Sequence, residues 1–237
     1  MALKVSSRGQ IPPFIVMDVM QSAVDLEAEG RDVLHLEVGQ PATSAPRGVI
    51  GAAKLALDQD KLGYTLAFGL PSLRECLREH YQAWYGVDIP VERIAITKGS
   101  SAGFLLSFLA AFDPGDRVAM VSPGYPAYRN ILTALGIEPV LMLAGAEQRY
   151  QPTPALLDAL DRPVDGLILA SPSNPTGTMV GACEMRALTD YCLANGIRLI
   201  SDEIYHGIGY GQPWISALES DPNALVINSF SKYFSMT

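Results

Sequence analysis

Short apolar runs recur along this chain, each followed by a stretch with helical periodicity, and that alternation limits the possible folds sharply. The runs are 93–97 (RIAIT), 117–122 (RVAMVS), 138–143 (EPVLML), 166–171 (GLILAS), 197–203 (IRLISDE) and 224–230 (ALVINSF). They are short, rich in branched residues and apolar on both faces. That pattern predicts strands covered on both sides. The intervening stretches read as helices. In 71–86, Leu73, Leu77, Tyr81 and Trp84 share one stripe, Ser72 and Glu75 are spaced as a capping box, and Gly86 is a stop. In 183–196, Met185, Leu188 and Cys192 share a stripe that ends at Gly196. Strand–helix–strand repetition predicts an α/β domain with a mainly parallel sheet and right-handed crossovers. Residues 1–40 differ, with a Pro12-Pro13 pair and one helix near 14–29, and are expected to form a separate lobe ahead of a domain spanning 41–237.

Composition narrows the function classes. Charged residues make up 18% of the chain, below the roughly 25% of an ordinary domain, which suits a well-covered sheet. Seventeen basic residues stand against 25 acidic ones, for a net charge of −8 without a Lys/Arg cluster. A nucleic-acid partner is not expected. The most apolar stretch, 102–112 (AGFLLSFLAAF), is too short to cross a bilayer, and the N-terminus lacks the apolar core of a secretory signal. Cys76, Cys183 and Cys192 form no C-x-x-C pair and are odd in number. They read as small apolar fillers in a reducing, cytoplasmic setting. His35, His80 and His206 show no metal-ligand spacing, so no metal is expected.

A parallel sheet binds ligands beyond the carboxyl ends of its strands, so the residues there are the candidate site. After 93–97, Gly99, Ser100 and Ser101 open a helix, where free N–H groups, hydroxyls and the helix dipole can hold an anion. The same residues also suit a plain turn. After 117–122, the sequence PGYPAY presents Tyr125 and Tyr128, faces on which a planar ring can stack or ordinary core aromatics. After 166–171, Asn174 precedes Pro175, which pushes its backbone extended and frees its amide. After 197–201 come Asp202 and Glu203, carboxylates that are costly to bury without partners, one of which can instead face solvent. After 224–228, Ser229 and Ser231 flank Lys232. An anion cradle, an aromatic plate, an amide, a carboxylate and a lysine together suit a flat heteroaromatic cofactor carrying a phosphate. Pyridoxal phosphate fits, because its aldehyde joins to lysine and its ring nitrogen takes a carboxylate partner.

The ordered motifs NPTG (174–177), SDEIY (201–205) and SFSK (229–232), with YTLAFGLPSLRECL (64–77), resemble the class I/II aminotransferases, the fold-type I group of pyridoxal-phosphate enzymes. The resemblance covers essentially the whole chain. It implies a three-layer α/β/α large domain, with residues 1–40 contributing to a small domain. It implies that Lys232 carries the cofactor as a Schiff base and acts as general base, and that Asp202 pairs with the pyridine nitrogen. Asn174 and Tyr205 would bind the ring's phenolic oxygen, and Tyr125 would stack on the ring. Gly99, Ser100, Ser101, Ser229 and Ser231 would surround the phosphate. Tyr64 would reach the phosphate in the partner subunit, implying a homodimer, and Gly39, with Asn174, would meet the substrate. The implied reaction moves an amino group between an amino acid and a 2-oxo acid.

Family members continue well past Lys232, so the chain is expected to be a fragment without useful activity of its own. Carbon–sulfur β-lyases share the fold and motifs and form the nearest alternative. A non-catalytic aminotransferase-like regulator is another, against which the short, acidic residues 1–40 argue. The substrate is not readable, although Ile11, Pro12 and Phe14 are candidates for an apolar wall.

Overall fold

The computed structural model describes residues 3–236. Five strands form one parallel sheet: β1 (Arg117–Ser122), β2 (Glu138–Leu143), β3 (Gly166–Ala170), β4 (Arg198–Asp202) and β5 (Leu225–Ile227), in the order β2-β1-β3-β4-β5. The register is uninterrupted across the centre, with Met120 opposite Ile168 and Ile168 opposite Ile200. The helices are α1 (Ile15–Ala28), α2 (Arg47–Gln59), α3 (Pro71–Tyr85), α4 (Gly99–Ala111), α5 (Pro126–Leu135), α6 (Pro154–Asp158) and α7 (Ala182–Ala194).

Alternate strand residues feed two cores. Val118, Met120, Ile168 and Ile200 face one layer with Phe104 and Phe108 of α4 and Leu132 of α5. Ala119, Val121, Leu167 and Leu199 face the other with Met185, Leu188 and Cys192 of α7. The period of two along each strand divides the apolar residues between the faces, so helices must cover both. Gly166 marks a close approach of β3 to the end of α4: a Cβ there would lie 2.3 Å from the Phe112 ring. Gly86 ends α3 in the left-handed region at φ 70°, as its position implied.

Several expectations fail for physical reasons. Residues 93–97 form no strand. Val91–Arg93 make a 3-10 turn, and Ile94–Thr97 join no ladder, although Ile96 N–H bonds Phe68 O at 3.1 Å. A cavity of about 900 Å³ lies between Ile94–Lys98 and the outer edge of β5, lined also by Leu73, Leu77 and Tyr81. A strand exists only through a hydrogen-bonded neighbour, and among the described residues no strand pairs with this segment. Likewise β5 stops at Ile227, because the next residues turn, with Ser229 N–H bonding Asn228 Oδ1 and Ser231 N–H bonding Ser229 Oγ. The capping box at Ser72 and Glu75 does not form: Pro71 opens α3 directly, and Glu75 pairs with Arg78 instead. Of the three cysteines only Cys192 is a buried filler; Cys76 and Cys183 are exposed.

Candidate active site

Asp202 is the last residue of β4 and is 3% exposed. Its Oδ1 accepts from Ile204 N–H at 3.2 Å, and its Oδ2 accepts from the Tyr128 hydroxyl. Burial pushes its carboxyl up to about 6, against the opposing pull of Tyr128, Ile204 and the Lys232 charge. None of the described lysines or arginines forms an ion pair with it. This is a carboxylate held in a dry site, organised by neutral donors, with its cation at a distance.

That cation is Lys232. Its Nζ donates to Gly39 O at 2.8 Å and sits 5.9 Å from the centre of the Tyr205 ring. Burial lowers its pKa from the usual lysine value, while Asp202 raises it. Asn174, on the loop after β3, donates from Nδ2 to Tyr205 Oη at 3.4 Å. Tyr125 stands edge-on to Tyr128 at 5.3 Å and to Phe14 at 5.8 Å, so the aromatic plate is braced from the chain's first residues. Tyr125, Tyr128 and Asn174 line one small recess. Gly207 keeps the Tyr205 turn close to the lysine loop: at φ 93°, a Cβ would lie 2.3 Å from the Tyr233 ring.

A set of hydroxyls lies just before Lys232 and at the start of α4. Gly99 opens α4 with φ 78°, and Ser100 and Ser101 occupy its first turn. These three residues share the wall of the large cavity with Ser229 and Ser231, whose hydroxyls are 2.7 Å apart. A helix N-terminus facing a pair of hydroxyls is a donor set suited to an anion. Most of the cavity is apolar and runs along β5, so only this rim belongs to the candidate site. Tyr64 is fully exposed.

Two readings change. Neither Asp202 nor Glu203 faces solvent; Glu203 is 0% exposed. Its Oε1 takes three donors, Ala217 N–H at 2.9 Å, Ser201 Oγ at 3.0 Å and Ser216 Oγ at 3.2 Å, while Oε2 has no partner among the described residues. Tyr128 is a direct partner of the central carboxylate and not merely an aromatic wall. Its position three residues after Tyr125, one turn along α5, was the only sequence signal for that role.

A model of the family aminotransferase class I and II matches residues 31–237. The chain belongs to that family. A valine–pyruvate aminotransferase from Mycobacterium tuberculosis is 48% identical over 236 residues, which is 99% of this chain and 61% of that relative. A crystal structure of an aminotransferase from Mycobacterium tuberculosis matches with a TM-score of 0.95 at 47% identity, covering 99% of this chain and 61% of that one. An aspartate aminotransferase from Thermus thermophilus, solved with maleate, gives 0.93 at 31% identity, covering 99% of this chain and 62% of that one. The α/β architecture is thus that of the class I and II aminotransferases. The chain spans about 61% of the length of the first of these relatives.

Proposed function

We propose that this chain carries the pyridoxal-phosphate site of an aminotransferase that exchanges amino groups between an amino acid and a 2-oxo acid. One observation carries the reading. A fully buried carboxylate, Asp202, lies near a half-buried lysine of lowered pKa without forming an ion pair with it. Such a carboxylate is poised for an added cation, and a protonated pyridine nitrogen is one. The donor set at Gly99, Ser100, Ser101, Ser229 and Ser231 fits the phosphate.

Bound there, pyridoxal phosphate supplies an aldehyde that captures amines and a ring that draws electrons from the substrate Cα. Lys232 supplies the anchoring amine. Partial desolvation leaves more of that amine neutral, hence nucleophilic, and lets it take a proton from the substrate Cα. Asp202 would hold the proton on the ring nitrogen, and Tyr128 holds Asp202. Tyr205 and Asn174 would hold the phenolic oxygen, and Tyr125 would cover the ring. Gly39, beside the lysine amine, and Asn174 would meet the substrate. Residues 1–40 would complete the site as part of a smaller domain. Tyr64 would serve the partner subunit's phosphate, so a homodimer is part of the proposal. The relative named for valine and pyruvate makes that pair the first substrates to test.

The direct test is to mix the purified chain with pyridoxal phosphate, reduce with borohydride, digest, and locate the pyridoxyl group by mass spectrometry. Selective labelling of the Lys232 peptide is expected. Labelling scattered over other lysines, or none, would overturn the site assignment.

A further inference from the structure

His206 lies one residue beyond Tyr205 and is 4% exposed, yet it takes no part in the chemistry above. Its Nε2 is 2.9 Å from Ser171 O, and its Nδ1 is 2.7 Å from Tyr85 Oη. A carbonyl can only accept, so Nε2 must carry the hydrogen. Burial drops the ring's pKa to about 4, so near neutral pH it holds one proton, and Nδ1 is an acceptor. Tyr85 can supply the donor, because burial raises its pKa and keeps the phenol protonated. Glu203 Oε2, at 3.7 Å from Nδ1, is too far to compete. The three groups thus form one directed chain, from the Tyr85 hydroxyl through the imidazole to the Ser171 carbonyl.

Ser171 is the first residue of the loop that carries Asn174. The loop closes on itself through Ser173 N–H to Thr178 O at 2.9 Å and Gly177 N–H to Ser173 O at 2.8 Å. Its base is pinned to the sheet by Ser171 N–H to Asp202 O and by Gln151 Nε2 to Ala170 O and Thr178 O. His206 adds a further tether at Ser171 O, and it belongs to the same turn as Tyr205, the partner of Asn174.

We infer that His206 is a positioning residue: its Nε2–H tethers the 171–178 loop at Ser171 and thereby sets Asn174 against Tyr205, in a ring orientation fixed by the Tyr85 hydroxyl of α3. This deepens the cofactor-site reading and rests on it for the task of Asn174. The imidazole's hydrogen-bond partners are Tyr85 and Ser171, neither of which is among the residues placed around the cofactor. Its effect reaches the site only through the loop.

Two measurements test it. The first needs no cofactor: amide hydrogen exchange in the chain itself. In His206→Phe the Ser173 and Gly177 amides should exchange about tenfold faster, the loss of roughly one buried hydrogen bond. Leu199 and Ile200 amides in β4 should be unchanged. His206→Gln, whose amide can donate to Ser171 O, should restore the slow rate, and Tyr85→Phe should fall between. Unchanged loop exchange, or equal acceleration in β4, would overturn the tether. If His206→Phe does not fold, His206→Gln and Tyr85→Phe decide the matter by the same amides.

The second measurement is pyridoxal-phosphate affinity by titration. His206→Phe should weaken binding about tenfold in the native background, and by much less in Asn174→Ala, because the two act in series. Additive losses would show that His206 does not act through Asn174. Failure of the unsubstituted chain to bind pyridoxal phosphate would refute the cofactor reading instead, and hydrogen exchange would still decide the tether.

Discussion

Glu203→Gln should make the protein less sensitive to rising pH. Glu203 is fully buried, and burial pushes its carboxyl from 4.5 to about 7; the Ala217, Ser216 and Ser201 donors pull the other way. For an acid with a raised folded-state pKa, the folded chain binds more protons than the unfolded one. The stabilising contribution is therefore complete below the unfolded pKa and is lost as pH rises through the folded one. Each tenfold change in proton affinity is worth 1.36 kcal/mol, so the full cost of ionisation is about 3 kcal/mol. About 2 kcal/mol of it develops between roughly pH 5.5 and roughly pH 8. Glutamine keeps an acceptor for Ala217, Ser216 and Ser201 and does not ionise. Any packing cost of its amide beside Oε2's unpartnered position is independent of pH and cancels in the comparison. Denaturant unfolding at a series of pH values should show the variant gaining about 2 kcal/mol on the native chain across that interval. Parallel stability curves would mean that Glu203 is not held above the ordinary carboxylate range, and the reasoning from burial would fail.

Lys232→Ala should abolish the borohydride-trapped pyridoxyl label, checked by mass spectrometry, and abolish transamination in a protein of the relatives' full length. Asp202→Ala should still allow labelling at Lys232 while reducing turnover by orders of magnitude; near-normal rates would refute its role at the ring nitrogen. Tyr128→Phe removes a donor to the ionised form of Asp202, so that carboxyl should rise above its present value of about 6. The pH dependence of cofactor binding should move upward with it. Phe108→Ala, at a 0% exposed position in the layer under α4, should cost about 3–5 kcal/mol in chemical denaturation.

The sheet was largely readable from the chain. β1 to β4 lie within a residue or two of the predicted runs, because two-sided apolar segments of that length have few other stable uses. The segment 93–97 looked the same and is not a strand, because its ladder partner is a matter of tertiary placement that local composition does not encode. The start of α3 failed for a local reason, since Pro71 at the first position of the helix outcompeted the Ser72 signal.

The candidate site divides in the same way. Lys232, Asp202, Asn174, Tyr205, Ser229 and Ser231 could be named because each lies at or shortly beyond the carboxyl end of a strand of a parallel sheet, where the topology gathers whatever the loops carry; Ser100 and Ser101 follow 93–97, which forms no strand, and open α4 instead. That Glu203 is as buried as Asp202, that Tyr128 grips Asp202 across 74 residues of chain, and that Tyr85 meets His206 across 121 could not be read there. Periodicity and motif spacing are short-range properties, set by backbone geometry over a few residues. Hydrogen bonds and desolvation depend on which elements the crossovers bring together. The sequence by itself determined the kind of sheet and the chemical inventory at its edge; the tertiary structure alone decided which of those groups lose water, which find partners, and which are left to hold the others in place.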